Sequence, residues 1–145
     1  MAYQIDQSGK VEDTNKLTIV ALANGRVKSL KISAVEKQKL IKIMRIHDYP
    51  KKTFIYKIFA SLIFLLLKNE RIEGIIIDNE YPGHQAIIKD VLQRLFKKKN
   101  KQAPEIMFAE IGKKSIAHKV ALEVFRGKRK PDIIIGADDV IKLLY

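Results

Sequence analysis

The segment from Phe54 to Leu67 constrains this chain more than any other, because Lys57 is its only charged residue. Beyond Lys57 the uncharged stretch Ile58 through Leu67 is well short of the about 20 residues that a membrane-crossing helix requires. Such a segment belongs inside protein, as a helix from about Thr53 to Lys68 that is apolar on most sides and central to its domain. No membrane is expected as a partner.

The residues before it read as strands and then a helix. Tyr3 to Asp6 forms a short strand followed by the polar turn Gln7-Ser8-Gly9-Lys10. Leu17 to Ala23 is rich in apolar and β-branched residues and ends at Asn24-Gly25, a strong hairpin signal. Val27 to Ile32 mixes Val27, Leu30 and Ile32 with Lys28, Ser29 and Lys31, as a half-exposed partner strand does. The first 32 residues therefore predict a three-stranded antiparallel meander. The period then changes. Ser33 and Glu36 stand at capping-box spacing, and Val35, Leu40, Ile41 and Met44 carry a helix to about Ile46. Asp48-Tyr49-Pro50 stops it, since a residue before proline avoids the helical region.

After the central helix, Ile72 to Asp78 contains three consecutive isoleucines, a pattern suited to a parallel strand covered on both faces. Tyr81-Pro82-Gly83 turns the chain into a helix near His84, with Ile87, Ile88, Val91, Leu92, Leu95 and Phe96 on one side. Glu105 to Ile111 is another strand. Gly112-Lys113-Lys114-Ser115 leads into a helix with the apolar stripe Ile116, Val120, Ala121, Val124 and Phe125. Ile133 to Ile135 and Ala137 to Tyr145 add a short strand and helix, a C-terminal appendix over 131–145. No composition break divides residues 1–145, so one α/β domain is expected, with a mixed sheet and helices on both faces.

Charge narrows the partners. Lys and Arg outnumber Asp and Glu by 28 to 16, a net charge of +12, which draws polyanions to the surface. Nucleic acid, DNA or RNA, is the expected partner. The absence of cysteine excludes disulfides and thiolate metal sites. With no basic start or apolar signal core at the N-terminus, a cytoplasmic location is expected. No phosphate-binding glycine loop, nucleophile elbow or Cys/His zinc pattern is present.

Three sets of residues can carry chemistry. Asp6 points to the face of the first strand opposite Tyr3 and Ile5, just before a Ser8-Gly9 turn that it could equally cap. Asp78 is delivered by the isoleucines to the carboxyl end of a strand, where open α/β sheets place ligands. Glu80 lies two residues on, and an ordinary strand-end acid followed by a helix N-terminal acid is the plainer account of the pair. Carboxylates gathered at one edge repel one another unless a cation neutralises them, and hard oxygen donors suit Mg²⁺ or Mn²⁺. Ser115 can cap the following helix and place His118 at its third position, able to bind a metal or accept a proton. Lys10, Lys113, Lys114 and Lys119, with Arg126, Lys128, Arg129 and Lys130, are candidate phosphate contacts. His47 and His84 read as surface or packing residues, and Asp138 and Asp139 as caps of the last helix.

This arrangement resembles the RNase H-like superfamily, which includes RNase H enzymes and RuvC-type junction resolvases. The resemblance covers about residues 1–126. It is carried by Ile5-Asp6-Gln7-Ser8-Gly9 in strand one, Ile77-Asp78-Asn79-Glu80 ending strand four, and Ser115-Ile116-Ala117-His118 opening the helix after strand five. It implies that strands one and four are neighbours. It also implies a nuclease that cleaves phosphodiester bonds with two divalent ions, Mg²⁺ or Mn²⁺, bridged by Asp6 and Asp78 or Glu80, with His118 as a further ligand or proton carrier. Two departures stand out. Two helices separate strands three and four, and the helix after strand five opens with Ser115 and His118 where the family commonly has a carboxylate. A non-catalytic nucleic-acid-binding domain and a basic subunit of a protein complex are the alternatives.

Overall fold

A computed structural model describes residues 2–47 and 53–145. The chain opens with the antiparallel meander: β1 (Tyr3–Ser8), β2 (Thr18–Ala23) and β3 (Val27–Ile32), with Asp6 opposite Ala21 and Ala21 opposite Ser29. Two helices follow, α1 (Ala34–His47) and α2 (Phe54–Leu67), then β4 (Gly74–Asp78), α3 (Gln85–Lys98), β5 (Glu105–Ala109), α4 (Ile116–Phe125), β6 (Ile133–Ile135) and α5 (Ala137–Leu144). The six strands form one mixed sheet in the order β5-β4-β1-β2-β3-β6. β4 pairs parallel to both β1 and β5, and β6 runs parallel to β3. The protein is an α/β fold.

The alternation of side chains along each strand sorts the sheet into two unequal faces. Ile5, Val20, Leu22, Leu30, Ile75, Ile77 and Ile106 join the main core with residues of α1, α2, α3 and α5. Ile19 and Ala21 point the other way and pack on Val120, Ala121 and Val124 of α4 alone. The central helix behaves as its composition demands: every residue of α2 from Ile58 to Leu67 is buried. Each large apolar side chain enclosed there contributes about 1.5–3 kcal/mol relative to exposure, which makes α2 the organising element of the core. Its one buried hydroxyl, on Ser61, donates to the Lys57 carbonyl at 2.7 Å, so no polar group is left unsatisfied on that side chain.

Several boundaries differ from the sequence reading. β1 runs on through Gln7 and Ser8, which lie in the strand and not in the turn. β4 starts at Gly74, and β5 stops at Ala109. Ile75 and Ile77 are buried, but Ile76 faces the α4 side and is only half-buried, because a single ten-residue helix covers that face. The segment 131–145 is no appendix. β6 is the sixth strand of the sheet, and α5 packs on α1 and α2 with Val140 and Leu143 in the main core. At the start of α1 the Ser33 hydroxyl accepts from the Glu36 N–H at 3.2 Å. The Glu36 carboxylate, however, accepts from the Ala137 N–H at 2.9 Å, tying α1 to α5 and leaving the capping box incomplete. The expected stop at Asp48-Tyr49-Pro50 lies outside the described residues.

Candidate metal centre

Parallel pairing of β1 with β4 sets Ile5 opposite Ile77, so the next residues, Asp6 and Asp78, project from neighbouring strands on the same face. Asp6 is buried at 2% exposure, while Asp78 and Glu80 are half-buried. β4 ends at Asp78, and a turn closed by the Glu80 N–H on the Asp78 carbonyl at 2.8 Å brings the Glu80 carboxyl back over the strand end. One carboxylate oxygen from each of Asp6, Asp78 and Glu80 lies within 4.8 Å of the other two. The strand does not persist to Glu80; the turn delivers it.

Asp6 and Asp78 are each positioned by a backbone N–H. Asp6 Oδ1 accepts from the Gln7 N–H at 2.8 Å, so it does not cap the following turn. Asp78 Oδ1 accepts from the Ile111 N–H at 2.9 Å, which anchors the loop carrying Lys113 and Lys114 to the end of β4. The second oxygen of Asp6, Oδ2, lies 2.8 Å from His118 Nδ1. The His118 backbone N–H is in turn held by the Ser115 hydroxyl at 3.1 Å, so Ser115 is the N-cap and His118 the third residue of α4. An ionised carboxylate only accepts; with Asp6 ionised, the imidazole donates from Nδ1 and presents Nε2 as its free lone pair.

The electrostatics follow from crowding three acids in a partly dry place. Burial, then a hydrogen bond to Asp78 and the negative charges of Asp78 and Asp6, pushes Glu80 up to about 7, against a weak pull from Lys10. Burial and the Asp78 charge likewise raise Asp6, although His118 and the Gln7 N–H oppose the shift. The site therefore favours a bound positive charge.

The loop between β1 and β2 forms the rim of this site, and two buried polar side chains hold it. The Tyr81 hydroxyl donates to Glu12 Oε1 at 3.0 Å and accepts from Gln7 Nε2 at 3.1 Å and from the Val11 N–H at 3.4 Å. Lys37, with no exposed surface, donates from Nζ to the Lys10 and Asp13 carbonyls at 3.0 and 2.6 Å and to the Thr18 hydroxyl at 3.0 Å. Neither residue stood out as functional in the sequence. A signal for Lys37 was present: with Leu40, Ile41 and Met44 it occupies i, i+3, i+4 and i+7, the apolar stripe of α1.

The basic candidates are all exposed but do not form one group. Lys10 stands on the rim and acts electrostatically on Glu80. Lys113 and Lys114 lie on the loop anchored by Asp78, and Lys119 follows His118 on α4. Arg126, Lys128, Arg129 and Lys130 lie at the far end of that helix, where Phe125 sits under Gly9, and Arg129 is paired with Glu123 at 3.1 Å. At the last helix, Asp139 Oδ2 accepts from the Gly136 N–H at 2.9 Å, the capping role expected there. His118 contacts Asp6 without joining the three-carboxylate cluster. Among the described residues no helix is long and apolar enough to cross a membrane.

Compared with known proteins, the chain matches no family model, no curated protein and no solved structure. Its site is read from its own chemistry.

Proposed function

We propose that this protein is a divalent-metal-dependent phosphodiesterase acting on nucleic acid. The observation that carries this reading is the convergence of Asp6, Asp78 and Glu80 from two strands to within 4.8 Å. The donor set fits the ion. Three hard carboxylate oxygens at the mouth of a basic protein, two of them raised in pKa by burial and mutual repulsion, are the ligands Mg²⁺ or Mn²⁺ prefers. The placement of β1 between β4 and β2 also agrees with what the RNase H-like resemblance implies.

Asp6, Asp78 and Glu80 would hold the metal. When bound, it supplies positive charge that stabilises a phosphodiester under attack and makes water a better nucleophile. His118 fixes the rotamer of Asp6 through Nδ1 and offers Nε2 as a proton acceptor or further ligand. Lys10 and the Lys113-Lys114 loop flank the acids, where they would contact backbone phosphates and add to the counterion-release affinity of a +12 chain.

The test is a cleavage screen over single-stranded, duplex, hybrid and branched DNA and RNA with Mg²⁺ and with Mn²⁺. Metal-dependent cleavage is expected, lost in both Asp6→Asn and Asp78→Asn while circular dichroism and melting show the fold intact. Cleavage surviving both substitutions would sink the proposal. Salt-sensitive binding with no cleavage under any condition would leave a nucleic-acid-binding domain.

A further inference from the structure

A second feature lies in the residues that follow Glu80 in the chain. The four residues Tyr81 to His84 form a tight turn, closed by the His84 N–H on the Tyr81 carbonyl at 3.0 Å. Pro82 suits the first corner of that turn, and Gly83, at φ 83°, takes the positive φ that a type II turn needs at its second corner. The turn throws His84 outward at the start of α3. There it occupies the N-cap position but makes no side-chain capping bond.

The His84 ring instead lies flat on Tyr56, with centroids 4.2 Å apart and planes 15° from parallel. Tyr56 meets Tyr81 edge-on at 5.6 Å, and Tyr81 meets the buried Phe59 at 5.2 Å. A ladder of four rings thus runs from the core to the surface: Phe59, Tyr81, Tyr56, His84. His84 is exposed, and its ring nitrogens hydrogen-bond to none of the described residues. Tyr81, in the middle of the ladder, also grips Gln7 beside Asp6. The outer ring is therefore exposed, with one face stacked on Tyr56, and the chain leads to it directly from Glu80.

We propose that the stacked Tyr56–His84 pair is a platform for one unpaired base of a nucleic acid whose backbone passes Asp6, Asp78 and Glu80. An exposed ring braced by a stacked partner offers a π-face to any base, and cations in reach of the backbone supply the rest of the affinity. A base within a duplex is already stacked on its neighbours and cannot use the platform. The substrate class that follows is single-stranded, bulged or frayed nucleic acid. This inference rests on the nucleic-acid part of the proposed function and not on its chemistry.

The test uses the full chain in EDTA, so that binding is measured without cleavage. The protein contains no tryptophan, and a His84→Trp variant places a single reporter on the platform. Its emission should be quenched by an oligothymidylate of about 12 nucleotides, within the site sizes typical of such binders, and not by a duplex of the same length. In fluorescence anisotropy, His84→Ala should weaken single-strand binding by roughly 5- to 100-fold, the range expected for one lost stacked base. His84→Phe, which keeps the ring, should bind nearly as the parent does, and duplex binding should be unmoved by any of the three changes. Unquenched emission at saturation, or single-strand affinity unchanged in His84→Ala, overturns the platform, as does a parent protein that binds no oligonucleotide. A protein that stacks the base yet cleaves nothing with Mg²⁺ or Mn²⁺ refutes the phosphodiesterase and keeps the platform. Metal-dependent cleavage with no quenching does the reverse.

Discussion

His118 and Asp6 lie 112 positions apart in sequence, yet the imidazole Nδ1 is 2.8 Å from the carboxylate Oδ2. Asp6 sits in the middle of the sheet and His118 in the first turn of α4, the helix that among the described residues packs on that face. The contact fixes both the side chain of Asp6 and the ring nitrogen that remains available. If Asp6 holds a metal, His118 is its orienting partner. His118→Ala is then expected to lower metal affinity or cleavage by about 10- to 100-fold, with His118→Asn, whose amide can still donate to Asp6, recovering part of the loss. Titration calorimetry with Mn²⁺ checks the affinity directly.

The acids carry a pH signature. Glu80 stands near 7 in the fold against an ordinary 4.5, so the folded state holds its proton more tightly than the unfolded one. The contribution to stability is complete below about pH 4.5 and is lost as pH rises through 7. With the metal absent, the difference in unfolding free energy between the parent and Glu80→Gln should shift against the parent between pH 5 and 8. The shift should be ~1–3 kcal/mol, reduced from the full linkage value because Glu80 is partly solvated. Mg²⁺ should restore the parent at pH 8 far more than at pH 5. Denaturant melts at the two pH values, with and without metal, measure both effects.

Lys37 carries the opposite sign of cost. Burial lowers its pKa to about 8, despite the attraction of Asp13 and Glu12. The unfolded chain therefore binds this proton more tightly, and stability gains as pH rises from about 8 to the ordinary lysine range near 10.5. Lys37→Met should lack that gain. At pH 7 it should also leave the Lys10 and Asp13 carbonyls without their donor, at a cost of ~1–3 kcal/mol for each acceptor left unsatisfied. Hydrogen exchange of the 10–17 segment should rise in the same variant, because its anchor to α1 is gone.

Gly9 allows no side chain. Its φ is +77°, and a Cβ there would stand 2.1 Å from the Leu17 carbonyl oxygen and 2.7 Å from the Phe125 ring. The first contact is with backbone and cannot be relieved by a rotamer change. Gly9→Ala is expected to cost ~2–4 kcal/mol and to displace Lys10 from the rim. Thermal melts give the first effect. The slope of nucleic-acid binding against salt, reduced by about one phosphate contact, gives the second.

Much of this protein was legible in the order of its residues. The meander, the buried helix, the isoleucine strand and the Ser115 cap follow from local rules: side-chain period, turn residues and the needs of unpaired N–H groups. Asp6, Asp78 and Glu80 were visible as acids in or just after apolar strands of a basic chain, but their meeting was not, because it depends on β1 and β4 lying side by side. Gln7, Tyr81 and Lys37 were not visible as parts of the site. Their polar atoms are satisfied by backbone and side chains far away in sequence, and no local pattern encodes such partners. His84 was read as a surface or packing residue, and only its placement flat on Tyr56 distinguishes it from any other exposed histidine.

By itself, the sequence determined which segments are strands and helices, since those depend on neighbours within a turn or two. It also determined that α2 must be enclosed, since no other environment accepts ten consecutive buried positions. Tertiary structure alone decided that β1 lies beside β4, that Asp6 meets Asp78 and His118, and that β6 and α5 complete the core. Those outcomes depend on strand order and on which face of the sheet each helix covers. They are settled by packing between segments distant in sequence, where burial of the main core outweighs any local preference.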